Sequence, residues 1–234
     1  MEFSTGTTPK STELDSTALN TSSIDFVGGG VNAVATGNNI EVTIPGNPTF
    51  EGQTDLKYRE TLLKLLKERA YRHGQYTLSS GKDSEHYVNC KPVTLSCEGN
   101  ALLSHLMLKH VEKDAVAVGG LTLGADPLVC GIAQKAYYTG NRHIDALIIR
   151  KNPKGYGTKE VIEGNKPPKG ATVTVLEDVT TTGGSAMVAV NVLRDAGYIV
   201  NRVIAIVDRM DDHKIWEENN IEFVSLFFLD EICE

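Results

Sequence analysis

The sequence of 234 residues lacks any apolar run that approaches the length needed to span a bilayer, about 18 residues. Residues 1–20 have neither a basic start nor an apolar core, so we expect no secretory signal. Cysteine is scarce, and the four cysteines form no C-x-x-C pair and no metal-like spacing with histidine. Reduced structural thiols are therefore favoured over a zinc site or a disulfide framework. These absences predict a reducing, cytoplasmic setting and no membrane partner.

An excess of positive charge is also missing, since the formal net charge is −7. This balance argues against a nucleic-acid-binding protein. The charge is uneven, because residues 1–53 hold six acidic residues and one basic residue. The remainder is nearly balanced and can keep local basic patches for phosphate groups.

The composition divides the chain into an N-terminal extension, residues 1–53, and a folded domain, residues 54–234. The extension is rich in Ser, Thr, Asn and Gly and has no Cys, Trp or Tyr. About its first two dozen residues are predicted to be disordered. Alternating segments between residues 24 and 44 predict short strands or a hairpin. A dispensable appendage is favoured over a partner-binding segment.

From residue 54 onward, helical and strand patterns alternate, which predicts an α/β fold with a mostly parallel sheet of about five strands and helices on both faces. The first helix is predicted over residues 56–72, with Thr54 or Asp55 as its N-cap. Residues 151–169 show little periodicity and predict a long loop or ribbon. The other predicted helices cover 98–113, 127–137, 186–196 and 213–218, and the predicted strands cover 76–81, 87–90, 115–119, 146–149, 172–177, 203–207 and 223–228.

The most informative segment is VTVLEDVTTTGGS, residues 173–185. It predicts a strand, an acidic pair, a loop of hydroxyl-bearing residues and glycines, and the start of a helix, which directs backbone N–H groups at an anion. The acidic pair could accept hydrogen bonds from sugar hydroxyls while the loop holds a phosphate. The alternative is an ordinary turn between a strand and a helix, which the ordered set of residues makes less favoured.

Three other segments carry candidate chemistry. Residues 150–159 concentrate four cations among glycines and a proline, which is typical of a lid over an anion or of a solvated loop. Residues 76–91 offer the aromatic Tyr87 and the lysine Lys91, and the alternative is a structural β-hairpin with core aromatic residues. Arg209, after the strand that ends near Asp208, could bind a planar carboxylate or form a helix-capping salt bridge.

Together these segments resemble the orotate phosphoribosyltransferase family, a branch of the type I phosphoribosyltransferases, over residues 55–234. The matching pieces are YTLSSG (76–81), GLTLGADP (120–127), the loop 150–159, the acidic motif 173–185 and VDR (207–209). The resemblance implies a type I phosphoribosyltransferase fold with a small hood and a flexible lid loop. It implies transfer of phosphoribosyl from phosphoribosyl pyrophosphate (PRPP) to N1 of orotate in UMP biosynthesis, giving orotidine 5′-monophosphate and pyrophosphate.

The resemblance also implies the roles of individual residues. Lys154 and Asp178 would be catalytic, and Mg²⁺ would be carried by PRPP with no protein ligands of its own. A homodimer is implied, in which the lid reaches into the neighbouring site. The residues implied to bind PRPP are Arg150, Lys151, Lys154, Tyr156, Glu177, Asp178, Val179, Thr180, Thr181, Thr182, Gly183, Gly184 and Ser185. The residues implied to bind orotate are Tyr87, Val88, Thr181 and Arg209.

Two positions depart from the family pattern: Ser79 replaces a frequent lysine, and Leu123-Gly124 replaces an aromatic–lysine pair. These departures bear on pyrophosphate affinity more than on the reaction. Two alternatives stay open, a phosphoribosyltransferase for another base and a non-catalytic regulator that binds PRPP. The lid cations favour catalysis over sensing, and Arg209 favours a substrate that carries a carboxylate.

Overall fold

The computed structural model describes residues 23–26, 31–36, 39–43, 50–77, 83–139, 142–151 and 160–233. The chain divides into two units, residues 1–56 and 57–234. In the first unit, the strands β1 (Ser23–Phe26), β2 (Val31–Thr36) and β3 (Asn39–Thr43) form an antiparallel sheet in the order β1-β2-β3. The predicted disordered segment lies outside the described residues, apart from the start of β1.

The second unit is built on a six-stranded sheet in the order β11-β10-β9-β6-β7-β8. Five of these strands are parallel, and β8 is antiparallel to β7. A separate hairpin of β4 (Tyr71–Thr77) and β5 (Asp83–Val88), which we name the hood hairpin, precedes the sheet along the chain. The sheet strands are β6 (Ala117–Leu121), β7 (Asp145–Ile149), β8 (Ile162–Gly164), β9 (Val173–Thr180), β10 (Arg202–Asp208) and β11 (Glu222–Phe228).

Helices accompany the sheet along the chain. A π-helical turn, Leu66–Ala70, continues the first helix, so that helical structure runs up to β4. None of the helices in the described residues combines the length and the apolar character needed to cross a membrane. The helices are α1 (Phe50–Leu65), α2 (Lys91–Thr94), α3 (Cys97–Leu108), α4 (Asp126–Thr139), α5 (Gly184–Asp195), α6 (Lys214–Glu218) and α7 (Leu229–Cys233).

The core lies on both faces of the sheet because successive strand residues point to opposite sides. In β9, Val175 belongs to one buried cluster and Leu176 to the other. In β10, Val203 and Ile204 divide in the same way. Strands buried on both faces explain the near-continuous apolar runs of the sequence.

The predicted α/β architecture is confirmed, and the differences are local. Neither Thr54 nor Asp55 is an N-cap, because α1 begins at Phe50 and both residues lie inside it. The prediction of about five strands missed β8, whose three residues are too short to show a periodic pattern. The predicted helix 98–113 ends at Leu108, since the chain turns there before entering β6.

Candidate active site

The candidate site lies where four parallel strands end. The segments that follow β6, β7, β9 and β10 leave the same edge of the sheet, which is where ligands bind in folds of this kind. The hood hairpin reaches this edge, because the side chain of Arg209, after β10, donates a hydrogen bond to the carbonyl of His86 in β5 (2.9 Å). Segments far apart in sequence therefore meet at one place.

The loop between β9 and α5 forms an anion cradle. Gly183 adopts a left-handed backbone (φ +74°), and a Cβ there would lie 3.0 Å from the ring of Trp216. The first N–H groups of α5 have no partner within the helix and lie at its positive end. A cavity of about 240 Å³ opens there, lined by Glu177 and by residues of the segment 179–186. The loop residues predicted from the sequence to hold a phosphate are therefore brought together around one cavity.

Glu177, at the end of β9, is almost completely buried, with 5% of its surface exposed. Its Oε1 accepts a hydrogen bond from the amide of Asp178 (3.3 Å), while its Oε2 is buried and has no partner among the described residues. Burial, reinforced by the neighbouring Asp178, raises the pKa of Glu177 to about 9. At neutral pH Glu177 therefore carries a proton and can donate a hydrogen bond as well as accept one.

Asp178 has a different environment, although it is the next residue. Its Oδ1 accepts a hydrogen bond from the amide of Val179 (3.0 Å), and its Oδ2 lies 3.6 Å from Nζ of Lys91. The side chain of Asp178 is 14% exposed. The acidic pair thus presents a protonated carboxyl and a carboxyl that pairs with a cation, two groups suited to binding neighbouring hydroxyls.

Lys91, the first residue of α2, belongs to one of the candidate segments of the sequence but was not among the residues predicted to bind PRPP or orotate. Cys90 is fully buried beneath the acidic pair, with its Sγ 4.0 Å from the carbonyl of Asp178, and this packing brings Lys91 to the site. The side chain of Asn89 accepts a hydrogen bond from the Lys91 amide (3.2 Å). The sequence offered one weak signal, a lysine directly after a predicted strand that enters the sheet region.

Gly124, in the loop after β6, also lies against the acidic pair. A Cβ at this position would lie 2.5 Å from Oδ1 of Asp178. The loop is tied to the neighbouring strand, because the amide of Thr122 donates to the carbonyl of Ile149 (2.8 Å), and the Thr122 hydroxyl donates to Asp126 (2.9 Å). A side chain at position 124 therefore cannot fit unless the carboxyl of Asp178 moves.

The cationic segment after β7 is described at its start. The amide of Arg150 donates to the carbonyl of Val161 (2.8 Å), and its guanidinium lies 3.8 Å from Glu163. Lys151 is exposed, and its positive charge partly opposes the rise in the pKa of Glu177. Lys154 and Tyr156 lie outside the described residues.

Arg209 and Asp208 have separate roles. Asp208 is buried, accepts a hydrogen bond from the amide of Met210 (2.9 Å) and pairs with His213 (2.6 Å). Arg209 turns to the hood hairpin, and burial lowers the pKa of its guanidinium. Among the described residues Arg209 forms no salt bridge, so the helix-capping account of Arg209 finds no support, and the carboxylate-binding account stays open.

Tyr87 and Val88 lie side by side on β5 but on opposite faces. Tyr87 is 41% exposed and stacks on Tyr76, with ring centroids 5.0 Å apart. Val88 is 8% exposed and packs in the core. Thr181 is half-buried in the wall of the anion cavity. Of the two hairpin residues, only the Tyr87 ring is therefore available to a planar ligand.

The described residues contain no group of three or more His, Cys, Asp or Glu side chains that could hold a metal ion. The four cysteines are free thiols.

No protein-family model matches the sequence. The chain is similar to curated proteins named orotate phosphoribosyltransferase. The protein from Thermosynechococcus vestitus is 56% identical over 151 residues, which cover 64% of this chain and 79% of the relative. The protein from Nostoc sp. is 48% identical over 170 residues, which cover 72% of this chain and 82% of the relative.

The fold is similar to solved structures of the same kind. The Mycobacterium tuberculosis orotate phosphoribosyltransferase, crystallised in complex with PRPP, superposes with a TM-score of 0.61 at 32% identity. The match covers 76% of this chain and 99% of the crystallised chain.

Proposed function

Because the chain belongs to the orotate phosphoribosyltransferase family, we propose that it transfers phosphoribosyl from PRPP to N1 of orotate, giving orotidine 5′-monophosphate and pyrophosphate in pyrimidine biosynthesis. The observation that carries the proposal is the position of the acidic pair directly beside the amide-lined cavity. The cavity provides donors for a phosphate, and the pair provides groups for two sugar hydroxyls. This combination fits a sugar phosphate better than it fits a free phosphate.

In the proposed complex, residues 180–185 hold the 5′-phosphate of PRPP, while Glu177 and Asp178 bind the ribose hydroxyls. The protonated Glu177 can donate a hydrogen bond to one hydroxyl oxygen. Its buried Oε2, which has no partner among the described residues, gains one when the sugar binds. Val179 contributes to the cavity wall. The carboxyl of Asp178 accepts from the other hydroxyl while Lys91 keeps it in place.

The reaction moves negative charge onto the diphosphate as the bond to C1 breaks and positive charge grows on the ribose. Arg150, Lys151, Lys154 and Tyr156 would meet that charge, which is electrostatic stabilisation more than proton transfer. Mg²⁺ would arrive bound to PRPP, and when bound it neutralises part of the diphosphate charge. Orotate is an anionic nucleophile, so no strong general base on the protein is needed.

Orotate would lie between the anion cavity and the hood hairpin. Arg209 would pair with its carboxylate, Thr181 would hydrogen-bond its ring, and Tyr87 would cover one face of the ring. Val88, on the opposite face of β5, would anchor that strand to the core. An enzyme for a base without a carboxylate would have no use for a half-buried guanidinium at this point.

The proposal includes a homodimer in which the loop 150–159 of one copy completes the site of the other, as the family resemblance implies. A mixing experiment tests this arrangement. Lys154→Ala and Asp178→Asn copies, each with strongly reduced activity alone, should regain activity when they are mixed, because some dimers then contain one intact site. If mixing restores nothing, each site is complete within one copy. The proposal also places the protein in the cytoplasm, a setting in which free thiols persist.

The proposed reaction is tested by the change in orotate absorbance when PRPP and Mg²⁺ are added to the full chain. We expect turnover with orotate and none with adenine or uracil. Turnover with another base alone would identify a different phosphoribosyltransferase. Binding of PRPP, measured by calorimetry, without turnover of any base would identify a regulator.

Replacement of the lid lysine tests the electrostatic mechanism. Lys154→Ala should lower kcat by about 100-fold, in the range found when one charge-stabilising donor is removed, and should leave the orotate affinity nearly unchanged. Lys113→Ala, at an exposed position, is the matched control and should keep full activity. An unchanged kcat in Lys154→Ala would remove the lid lysine from the mechanism.

A further inference from the structure

The hydroxyl of Ser84 in the hood hairpin is fully engaged. It donates a hydrogen bond to the carbonyl of His86 (3.0 Å) and accepts one from the amide of His86 (3.1 Å). Its second acceptor position receives Nη2 of Arg209 (3.3 Å). A hydroxyl has one donor and two acceptor positions, so all three are used. Ser84 therefore joins the hairpin to the end of β10, 125 residues away in the sequence.

The same nitrogen of Arg209 also donates to the carbonyl of His86 (2.9 Å). Two acceptors on one nitrogen fix the plane of the guanidinium, because its five N–H groups form a rigid fork. The Nε of Arg209 is buried and has no hydrogen-bond partner among the described residues. Both N–H groups of Nη2 are thus held by the hairpin, and the buried Nε keeps one donor without a partner.

The backbone of His86 is itself held in place. The His86 ring lies 2.8 Å from the hydroxyl of Tyr71 and 3.6 Å from Sγ of Cys233. These contacts join β4 and the C-terminal helix α7 to the strand that carries the two acceptors. The acceptors for Arg209 therefore belong to a supported strand, which makes the orientation of the guanidinium specific.

We propose that Ser84 is a positioning residue that orients the Arg209 guanidinium for the carboxylate of the accepting base. The inference rests on the proposed function and extends it to the origin of base selection. A guanidinium whose plane is fixed presents its remaining N–H groups and its charge to the carboxylate in one orientation, whereas a freely rotating one does so for only part of the time. Loss of the Ser84 hydroxyl should weaken binding of the base and leave PRPP binding intact.

The experiment compares Ser84→Val with Ser84→Thr in the full chain, since the two side chains have similar shape and only threonine keeps the hydroxyl. Steady-state kinetics should show the KM for orotate raised roughly tenfold in Ser84→Val, the effect of losing one hydrogen bond to a charged group. The KM for PRPP should stay within about twofold of the wild-type value in both variants, and Ser84→Thr should recover most of the orotate affinity. Ser225→Ala, a serine change on β11, is the control and should match the wild type.

A second measurement separates positioning from damage to the pocket. Inhibition by uracil, which has the ring without the carboxylate, should be equal in the wild type and in Ser84→Val. An unchanged orotate KM, or equal losses for orotate, uracil and PRPP, would overturn the inference. If Ser84→Val does not fold, Ser84→Ala replaces it in the same comparison with Ser84→Thr. A wild-type chain that does not turn over orotate would overturn the proposed function, an outcome that is separate from any result with the variants.

Discussion

The buried, protonated Glu177 leads to a measurable dependence of stability on pH. Its pKa rises from 4.5 to about 9 on folding, so the native state binds this proton more tightly than the unfolded chain does. The contribution of the Glu177 proton to the free energy of unfolding is complete below pH 4.5. It decreases as the unfolded chain loses the proton, and it is gone once the pH has risen through about 9. Over that whole range the loss corresponds to roughly 6 kcal/mol, as an upper limit.

The test compares the wild type with Glu177→Gln, which keeps the shape of the side chain and cannot ionise. Urea unfolding at fixed protein concentration gives the free energy of unfolding at pH 6 and at pH 8. Between these values the wild type should lose roughly 3 kcal/mol more than the variant, because one proton is released on unfolding across two pH units. Titration of the groups that do not interact with Glu177 is common to both proteins and cancels in the difference.

Glu218→Gln, at an exposed position on α6, is the control and should give a pH dependence parallel to that of the wild type. If the wild type and Glu177→Gln also lose stability in parallel between pH 6 and pH 8, Glu177 does not hold a proton in the folded protein. The proposed hydrogen bond from its carboxyl to a ribose hydroxyl oxygen would then be wrong.

Two further variants test the surroundings of Asp178. Lys91→Met removes the ammonium group that lies 3.6 Å from the carboxyl of Asp178 and should raise the KM for PRPP several-fold. Lys91→Arg keeps the charge and should keep most of the affinity for PRPP. A PRPP KM that is unchanged in Lys91→Met would place Lys91 outside the site. Gly124→Ala places a Cβ 2.5 Å from Oδ1 of Asp178, so the carboxyl must move, and the KM for PRPP should rise about tenfold with the orotate KM unchanged. Kinetics equal to those of the wild type in Gly124→Ala would show that the position of Asp178 does not matter to PRPP binding.

The strands and long helices of the domain could be predicted because each buries an apolar pattern of its own period. β9 and β10 are buried on both faces and read as apolar runs, and the loop that follows β9 carries its chemistry in consecutive residues. The anion cradle was therefore visible in the sequence. β8 was not, because three residues at the edge of a sheet show no period.

The parts of the site that depend on tertiary packing could not be predicted. Lys91 and Gly124 meet Asp178 only because Cys90 packs beneath the acidic pair and the loop after β6 runs close to it. The sequence could not decide between the two accounts of Arg209, since its direction is set by a hairpin more than a hundred residues away. The pKa of Glu177 depends in the same way on burial, which neighbouring residues in the sequence do not determine.

Glu177 connects these observations. A carboxyl that is buried with one oxygen unpartnered among the described residues makes the folded chain less stable than an apolar residue would at neutral pH. Such a group persists where a ligand supplies the missing hydrogen bond, and the cavity beside it is lined by donors for the other end of the same ligand. The proposed function gives the unpartnered carboxyl oxygen and the anion cradle one explanation, a sugar phosphate held at both ends.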